Sequence, residues 1–421
     1  MPFTIALSGL NAASSDLRVI GNNVANSSTT GYKSSRAEFA DIFASSNLGV
    51  TANAIGNGVR VSSVTQQFSQ GNISFTDNNL DLAISGQGFF RLNDNGTTAY
   101  TRAGAFGVDR DGFVVNSQNQ KLTAFQADSN GNITGGLGDL QLSTGDLPPQ
   151  ASSSVSMSAN LDSTQSAVTA PFNRTDPTTY NNSTSVTVYD SLGNPLLMTT
   201  YYQKQATPGN TWNQYAYLTE PDGTVDEMIP AGGASGDPVV MTFNNAGALS
   251  GVVPNTGSST VADYSAVTLG TGAANLQVTN TLTNVTQFGS AFAVTALSQD
   301  GFSTGRLSGV DIGETGIVTA RYTNGQSRTL AQVAMANFTN PTGLRQLGDT
   351  TWVEAFDSGA PLVSAPGSGS QGLLQSGALE SSNVQITEQL VNMITAQRNF
   401  QANAQVISTA DTITQTIINI R

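Results

Sequence analysis

The chain has 421 residues, enough for two or three domains, and a formal net charge of −13, which opposes binding to the phosphate backbone of nucleic acids. It contains neither cysteine nor histidine, so Ser-His-Asp and Cys-His nucleophiles and ordinary structural zinc sites are excluded. Charged residues make up only 11% of the chain, and Ser, Thr, Asn, Gln and Gly take their place, a composition that favours β-structure with many turns. No run of about 18 apolar residues is present, so we expect no membrane insertion.

A helix of about 24 residues is predicted at the N-terminus, because apolar residues recur there at alternating steps of three and four. The members of this line are Phe3, Ala6, Leu10, Ala13, Leu17, Ile20 and Val24. Asp16 and Arg18 are the only charged side chains of this helix, whereas a helix on the surface of a globular core normally shows a wider apolar stripe and more charge. The narrow line therefore indicates a seam with another helix.

The middle of the chain, from about residue 80 to about residue 375, shows strand and turn signals and no long helical pattern. Hairpin candidates lie at residues 80–92, 108–115, 125–134, 186–202 and 319–338. The sequence thus predicts a mainly β fold, with two sandwich-like or barrel-like domains in the middle and an α-helix at each end.

An acidic segment, residues 149–286, differs in composition from the rest of the β region. It contains 2 basic and 9 acidic residues, a net charge of −7, and many glycines. We interpret it as an inserted outer β domain that faces solvent. The flanking segments would then form an inner β domain.

A second helix is predicted at the C-terminus. Its apolar line runs through Ile386, Leu390, Met393, Phe400, Ala404 and Ile407 and then shifts by one three-residue step to Ala410, Ile413, Ile417 and Ile420. Such a step locally overwinds a coiled coil. Because no neighbouring segment matches either terminal helix, we expect the two to pair with each other.

Three motifs that could carry chemistry are better explained by turns and linkers. “GSGSQG” (367–372) has the glycine spacing of a dinucleotide site but lacks the strand before it and the helix after it. Asp109 and Asp111 lie in a tight Asp-Gly turn, which argues against a pair of glycosidase carboxylates. Residues 128–132 alternate like a calcium loop, but the glycine and the final glutamate of that loop are missing. We therefore predict no catalytic residue, no metal and no cofactor, and no enzyme activity.

Two long stretches at the chain ends resemble the signature sequences of bacterial flagellar axial proteins, the family of rod and hook components. They are “SGLNAASSDLRVIGNNVANSSTTGYK” (8–33) and “ALESSNVQITEQLVNMITAQRNFQANAQVISTADTITQTIINIR” (378–421). Further segments resemble the hook members of that family in particular: residues 39–44, 80–92, 286–290 and 348–359.

The resemblance implies a structural subunit that polymerises with copies of itself into a curved, flexible tube, the hook, which transmits torque from the flagellar rod to the filament. It implies contacts with the rod, the hook cap and the hook–filament junction proteins. It also implies passage through the flagellar type III export apparatus to the outside of the cell, without a cleaved signal peptide. The implied parts are a coiled-coil domain (1–32 and 381–421), an extended linker region (33–78 and 366–380), an inner β domain (79–148 and 287–365) and an outer β domain (149–286).

The resemblance also assigns roles to residues at the chain ends. The candidates for assembly contacts along the helix seam are Phe3, Leu10, Leu17, Ile20, Val24, Leu390, Met393, Phe400, Ile407, Ile413 and Ile417. The polar stretch 21–33 would end the first helix and begin an extended arm, because Asn and Ser side chains hydrogen-bond nearby backbone. Its linker and anchor candidates are Asn22, Asn23, Asn26, Gly31 and Tyr32. Tyr32 would anchor the arm on a neighbouring subunit or pack within its own.

Two alternatives stay open. A distal rod-type axial protein shares the terminal signatures but would form a straight, rigid tube. An extracellular adhesive or carbohydrate-binding β protein is supported only by the acidic character of residues 149–286.

Overall fold

The computed structural model describes residues 2–42, 56–128, 131–142, 145–254 and 260–419. The fold is mainly β, with helix α1 (Pro2–Ala25) at the N-terminus and helix α2 (Ile386–Asn419) at the C-terminus. The chain forms two compact units. The first comprises residues up to 144, 309–321 and 327 onward, and the second comprises 145–308 and 322–326. The finer division into four parts stays a prediction.

The strands follow one another between the two helices. They are β1 (Ser35–Asp41), β2 (Val59–Gln66), β3 (Ile73–Phe75), β4 (Leu82–Ser85), β5 (Phe89–Asp94), β6 (Thr97–Thr101), β7 (Gly107–Val108), β8 (Val114–Val115), β9 (Lys121–Ala127), β10 (Ile133–Asp139), β11 (Ser154–Asp162), β12 (Asn182–Tyr189), β13 (Pro195–Lys204), β14 (Thr211–Thr219), β15 (Val225–Met228), β16 (Val239–Phe243), β17 (Leu249–Val253), β18 (Val261–Asp263), β19 (Thr279–Phe288), β20 (Ala293–Gln299), β21 (Leu307–Ile312), β22 (Ile317–Tyr322), β23 (Ser327–Val333), β24 (Met335–Asn337), β25 (Arg345–Gly348), β26 (Thr351–Val353), β27 (Leu362–Ser364), β28 (Leu373–Ser376) and β29 (Ala378–Glu380).

The first unit is built on a large sheet with the strand order β21-β22-β23-β9-β5-β6-β26-β25. Alternating apolar residues of its strands form the core, which includes Leu82, Phe90, Leu92, Leu122 and Val333, each fully buried. A second, aromatic cluster joins Phe89, Tyr100, Phe338 and Trp352 through edge-to-face ring contacts. These two clusters form the packed interior of the first unit.

Three two-stranded sheets of the first unit position the chain ends. Strands β1 and β2 form an antiparallel hairpin that packs along α1. Strand β28 pairs with β4, and β29 pairs with β3, so residues 373–380 are held against residues 73–85. The segment that leads into α2 is thereby fixed before the helix begins.

The second unit contains two sheets, with the orders β18-β19-β11-β20 and β12-β13-β14-β16-β17. Both sheets contribute side chains to one core, whose largest buried members include Trp212, Tyr202, Tyr264 and Phe243. The described strands of neither unit close into a barrel, so the barrel-like alternative is not found.

The chain enters and leaves the second unit through adjacent antiparallel segments. Gln150 and Phe302 exchange two backbone hydrogen bonds of 3.0 Å each, and Leu147 and Gly305 form a second bridge. The two ends of the segment 151–301 therefore lie side by side.

The acidic motifs that were interpreted as turns have turn geometry. The Oδ1 atom of Asp109 accepts hydrogen bonds from the backbone N–H groups of Asp111 (2.9 Å) and Phe113 (2.7 Å). Asp128 accepts in the same way from the N–H of Asn132, while Asn130 lies outside the described residues. The carboxylate of Asp109 therefore accepts hydrogen bonds within its own turn.

Candidate assembly site at the paired chain ends

The two terminal helices pack against each other in antiparallel orientation. The Nδ2 atom of Asn23 donates a 3.1 Å hydrogen bond to Oε1 of Gln389. Near the other end of the pair, a Cβ atom on Gly9 would lie 2.5 Å from the side chain of Asn403. Gly9 and Asn23 are 14 positions apart in α1, and their partners Asn403 and Gln389 are 14 positions apart in α2 in the reverse order. The two helices therefore keep the same register between these contacts. The expected pairing of the end helices is found.

On α1, small residues and one isoleucine form the buried part of the predicted seam. Ala6, Ala13 and Ile20 are 3%, 7% and 5% exposed. Leu10, Leu17 and Val24 are partly buried, whereas Phe3 is 42% exposed. The close approach at Gly9 explains the small residues, because larger side chains would force the helices apart.

On α2, the line that faces α1 combines apolar, small and amide residues at steps of four and three: Gln389, Met393, Ala396, Phe400, Asn403 and Ile407. Of the predicted seam residues, Met393, Phe400 and Ile407 lie on it and are partly buried. Leu390 and Ile413 point elsewhere and are 47% and 55% exposed. Ile417 lies in α2, and Ile420 lies outside the described residues.

The asparagines of the 21–33 stretch form a hydrogen-bonded knot where α1 ends. Asn23, only 2% exposed, binds the backbone of Ser35 on both sides, donating to its carbonyl (2.8 Å) and accepting from its N–H (2.9 Å). Asn26 donates to the backbone carbonyl of Asn22 (3.0 Å) and accepts from the hydroxyl of Thr29 (3.2 Å). The bond to Asn22 satisfies a carbonyl of the last helical turn, and the two bonds to Ser35 tie the end of α1 to the start of β1.

Gly31 and Tyr32 continue the knot into the β-structure. Gly31 has φ of +69°, and a Cβ atom there would lie 2.5 Å from the backbone nitrogen of Ala103. Its N–H donates to the carbonyl of Glu380 at 2.8 Å. Tyr32 is buried, and its hydroxyl donates to Oδ1 of Asn23 at 3.3 Å. In this structure Tyr32 packs within its own chain.

A buried ion cluster lies just beyond the knot. Nζ of Lys33 is 2.6 Å from Oε1 of Glu380, and Nη1 of Arg102 is 3.4 Å from Oε2 of the same carboxylate. The side chains of Lys33 and Glu380 are 0% exposed, and that of Arg102 is 4% exposed. Burial lowers the pKa of Lys33, and the negative charge of Glu380 opposes that shift. The cluster joins the end of the N-terminal arm, the β body and the segment before α2.

Asn383 adds a further tie between the chain ends. Its Oδ1 accepts from the N–H of Ser34 (2.7 Å), and its Nδ2 donates to the carbonyl of Gln67 (2.8 Å). Glu380, Arg102 and Asn383 were not among the candidates predicted from the sequence. The sequence carries no pattern that separates Glu380 from the other charged residues of the 378–421 signature, or Arg102 from those of the β region.

Relatives of the chain match it from end to end. It is 39% identical over 434 residues to the flagellar hook protein FlgE of Salmonella typhimurium, covering 100% of both chains. The chain belongs to the flagellar hook protein family. A more distant member of that family, the flagellar hook protein FlgE of Treponema pallidum, is 32% identical over 99% of this chain and 98% of its own length.

Four family models match successive parts of the chain. They are “Flagella basal body rod protein” (residues 3–33), “Flagellar hook protein FlgE/F/G D1 domain” (83–160), “Flagellar basal body protein FlaE D2 domain” (160–302) and “Flagellar basal body rod FlgEFG protein C-terminal” (375–420). The two terminal matches cover α1 from Phe3 onward and all of α2. The helix pair is thus made of the segments that the rod and hook proteins share.

The crystal structure of Helicobacter pylori flagellar hook protein FlgE2 has a similar fold, with a TM-score of 0.53 over 73% of this chain and 100% of that one, at 16% identity. Among the described residues, neither helix of the present chain is both long and apolar enough to cross a membrane.

Proposed function

We propose that the chain is the structural subunit of a bacterial flagellar hook, polymerising into a curved, flexible tube that transmits torque from the rod to the filament. The observation that carries this proposal is the helix pair: it is built from the shared rod and hook segments and leaves large apolar side chains exposed. The exposed residues of α2 include Ile386, Leu390, Val391, Ile394 and Ile413, each 47–58% accessible. The first four of these lie within about two turns at the start of α2, and exposed apolar side chains grouped in this way mark a protein–protein contact.

The helix pair would form the inner coiled-coil layer of the tube, and the two units would supply its sandwich-like inner and outer β domains. Residues of α2 that face α1 follow the three-and-four spacing of a coiled coil. Burying one large apolar side chain completely contributes about 1.5–3 kcal/mol. Several such side chains per subunit would offset the entropy lost when the terminal helices become ordered, so we expect the helices to order upon assembly.

The remaining assignments follow from membership of a hook. The partners would be further copies of the chain, the rod, the hook cap and the hook–filament junction proteins, and the flagellar type III export apparatus. The protein would act outside the cell as a non-enzymatic component. A chain without cysteine suits export in an unfolded state, because no disulfide must be broken or formed on the way.

Electron microscopy of polymers grown from the purified chain tests the proposal. Tubes that curve and change curvature with solution conditions are expected for a hook subunit. Straight, rigid tubes would support the rod-type alternative instead. A chain that stays monomeric at high concentration, although neither terminal segment has been lost to proteolysis, would contradict both functions.

A further inference from the structure

Asparagine followed by glycine is the residue pair at which a protein chain is most susceptible to spontaneous deamidation. Glycine has no Cβ atom, so its backbone nitrogen can approach the side-chain carbonyl of the preceding asparagine without steric hindrance. The sequence contains this pair at residues 57–58, 95–96, 130–131 and 324–325. Asn130 lies outside the described residues, and the structure distinguishes the other three pairs from one another.

Hydrogen bonds restrain the pair at residues 95–96. The N–H of Gly96 donates to Oδ1 of Asn93 at 2.8 Å, and Nδ2 of Asn95 donates to Oδ1 of Asp94 at 3.2 Å. The backbone nitrogen that would have to attack Asn95 is thus already directed at another acceptor.

The pair at residues 324–325 is restrained more strongly. Both ends of the Asn324 amide are bound, since Nδ2 donates to the carbonyl of Ser303 at 2.7 Å and Oδ1 accepts from the N–H of Gln326 at 3.1 Å. The N–H of Gly325 donates to the carbonyl of Tyr322 at 3.1 Å. Reaction at Asn324 would therefore break three hydrogen bonds.

The pair Asn57–Gly58 lacks these restraints. Asn57 is exposed, and within the part of the chain that the structure describes neither its side chain nor the N–H of Gly58 makes a hydrogen bond. Both reacting groups of this pair are therefore free of competing partners.

We propose that Asn57 is a site of spontaneous deamidation in the folded chain. The nitrogen of Gly58, after losing its proton to hydroxide, attacks Cγ of Asn57. The bond from Cγ to Nδ2 breaks, ammonia leaves with a proton taken from water, and a cyclic succinimide remains. Water then opens the ring at either carbonyl and gives aspartate or isoaspartate. Both products carry a new negative charge, and in isoaspartate the main chain runs through Cγ.

The modification would act on the contact between the β1–β2 hairpin and the start of α1. A Cβ atom on Gly58 would collide with Oγ of Ser8, so the glycine backbone lies directly against this hydroxyl. The same Oγ accepts from the N–H of Val59 at 3.2 Å and donates to the carbonyl of Ile5 at 2.7 Å. The extra main-chain carbon of isoaspartate displaces Gly58 and Val59 from Ser8, so the hairpin should loosen from α1.

The rates of deamidation at the three pairs test the proposal within one protein. The full chain is incubated at mildly alkaline pH in heavy-oxygen water, so that the label marks only residues hydrolysed during the incubation. Trypsin then places the pairs on separate peptides, 37–60, 92–102 and 322–328, and fragment spectra assign the label to each asparagine. We expect Asn57 to react several-fold faster than Asn95 and Asn324 in the folded chain. In denaturant the three rates should converge, because the local sequence is the same.

Asn57→Gln is the matched control, because glutamine would have to form a larger and less favoured ring. The peptide 37–60 of this variant should gain almost no label. After ageing, the wild-type chain should contain isoaspartate that an isoaspartyl methyltransferase detects, and the segment around Val59 should exchange amide hydrogens faster than in the aged variant.

Each result decides between the possibilities. Equal rates at the three pairs in the folded chain, or a fast reaction of Asn57 only in denaturant, would overturn the proposal. Rapid labelling of Asn57 without faster hydrogen exchange would support the modification site and overturn its effect on the hairpin. No polymer is needed, so failure of the proposed hook function would leave these results unaffected.

Discussion

Lys33 and Glu380, 347 positions apart in the sequence, form a 2.6 Å ion pair from which solvent is wholly excluded. Arg102 shares the carboxylate, and the N–H of Gly71 donates to it at 2.8 Å. Four distant segments thus meet at one side chain. The terminal helices are joined to the β body through this point, so the geometry of the junction depends on Glu380.

Replacing Glu380 with Gln should destabilise the first unit strongly. The change leaves the charges of Lys33 and Arg102 buried without a counter-ion, and breaking a buried pair in this way costs about 3–5 kcal/mol. The free energy of unfolding from denaturant titration measures the effect. Asp311→Asn is the control, because Asp311 pairs with Arg321 in an exposed ion pair. Equal losses in both variants would contradict the role of the buried cluster.

Two glycines of the N-terminal segment should respond to alanine with opposite signs. Gly31→Ala forces a Cβ atom to within 2.5 Å of the Ala103 backbone at a φ of +69°, so stability should fall and the knot should loosen. Gly21 lies in α1, and a Cβ atom there would meet no heavy atom within 4 Å apart from the adjacent helix backbone, so Gly21→Ala should stabilise the helix by about 0.5–1 kcal/mol. Circular dichroism during thermal unfolding compares the two. An unchanged melting temperature of the Gly31→Ala variant would contradict the prediction.

The second unit should lose stability above pH 10, in part through Tyr264. Burial raises the pKa of this fully buried tyrosine, so the folded state keeps its proton where an unfolded tyrosine, with a pKa of about 10, has lost it. The unfolded state then binds fewer protons, and the free energy of unfolding falls as pH rises. Tyr264→Phe should reduce that slope.

At neutral pH the same substitution should change stability little, because the Tyr264 hydroxyl makes no hydrogen bond of normal geometry among the described residues. Tyr202, whose pKa burial also raises, remains in the variant and should preserve part of the slope. Denaturant titrations from pH 7 to 11 give both quantities. An unchanged slope would show that Tyr264 ionises equally in both states.

Excising the second unit should leave a folded first unit. Residues 151–301 are replaced by a short Gly-Ser linker between Gln150 and Phe302, whose backbones already exchange hydrogen bonds. The boundary suggested by composition, residues 149–286, would leave β20 without its partner β11, and we expect that variant to be less soluble. Size-exclusion chromatography and thermal unfolding compare them. If the variant that lacks residues 151–301 is unfolded, the removed segment contains contacts that the first unit needs in order to fold.

Phe400→Asn should prevent assembly while leaving the stability of the β body unchanged. The partly buried ring lies on the α1-facing side of α2, and removing a packed phenylalanine costs about 3–5 kcal/mol. The cost recurs in every subunit, so the yield of sedimentable polymer should collapse. The melting temperature of the monomer's β body should hardly move.

The matched control for Phe400→Asn is Asn399→Ala, an exposed neighbour that should leave both readouts unchanged. A fall of many degrees in the monomer's melting temperature after Phe400→Asn would show that the helix pair already stabilises the β body before assembly. The inner-layer assignment would then have to be abandoned.

Sequence periodicity predicted the two helices, their pairing and the β body, because all three depend on repeated apolar spacing. The sequence did not predict correctly which face of α2 is turned toward α1. A count of large apolar residues selects Leu390, whereas the structure turns Gln389 and Asn403 toward α1, where one hydrogen-bonds Asn23 and the other fills the space beside Gly9. Such contacts depend on the shape of the partner, which no single helix sequence contains.

The ion cluster was missed for a related reason. Lysine and glutamate are almost never fully buried, so pattern analysis assigns Lys33 and Glu380 to the surface. Their burial becomes favourable only when both charges and the Gly71 N–H meet, and this requires the complete fold. The Asn knot, in contrast, could be anticipated as a helix end from local side-chain chemistry, although its bond to Gln389 could not.

The chain has only three lysines, Lys33, Lys121 and Lys204, and this scarcity turns the buried Lys33 into a built-in reporter. Amine-reactive reagents act on accessible, neutral amino groups, and Lys33 offers no surface to them while its side chain is 0% exposed. Acetylation at this position, followed by mass spectrometry of its peptide, would therefore record each opening of the junction between helices and β body. A torque-bearing joint could thus be followed by chemical footprinting, without adding a probe to the chain.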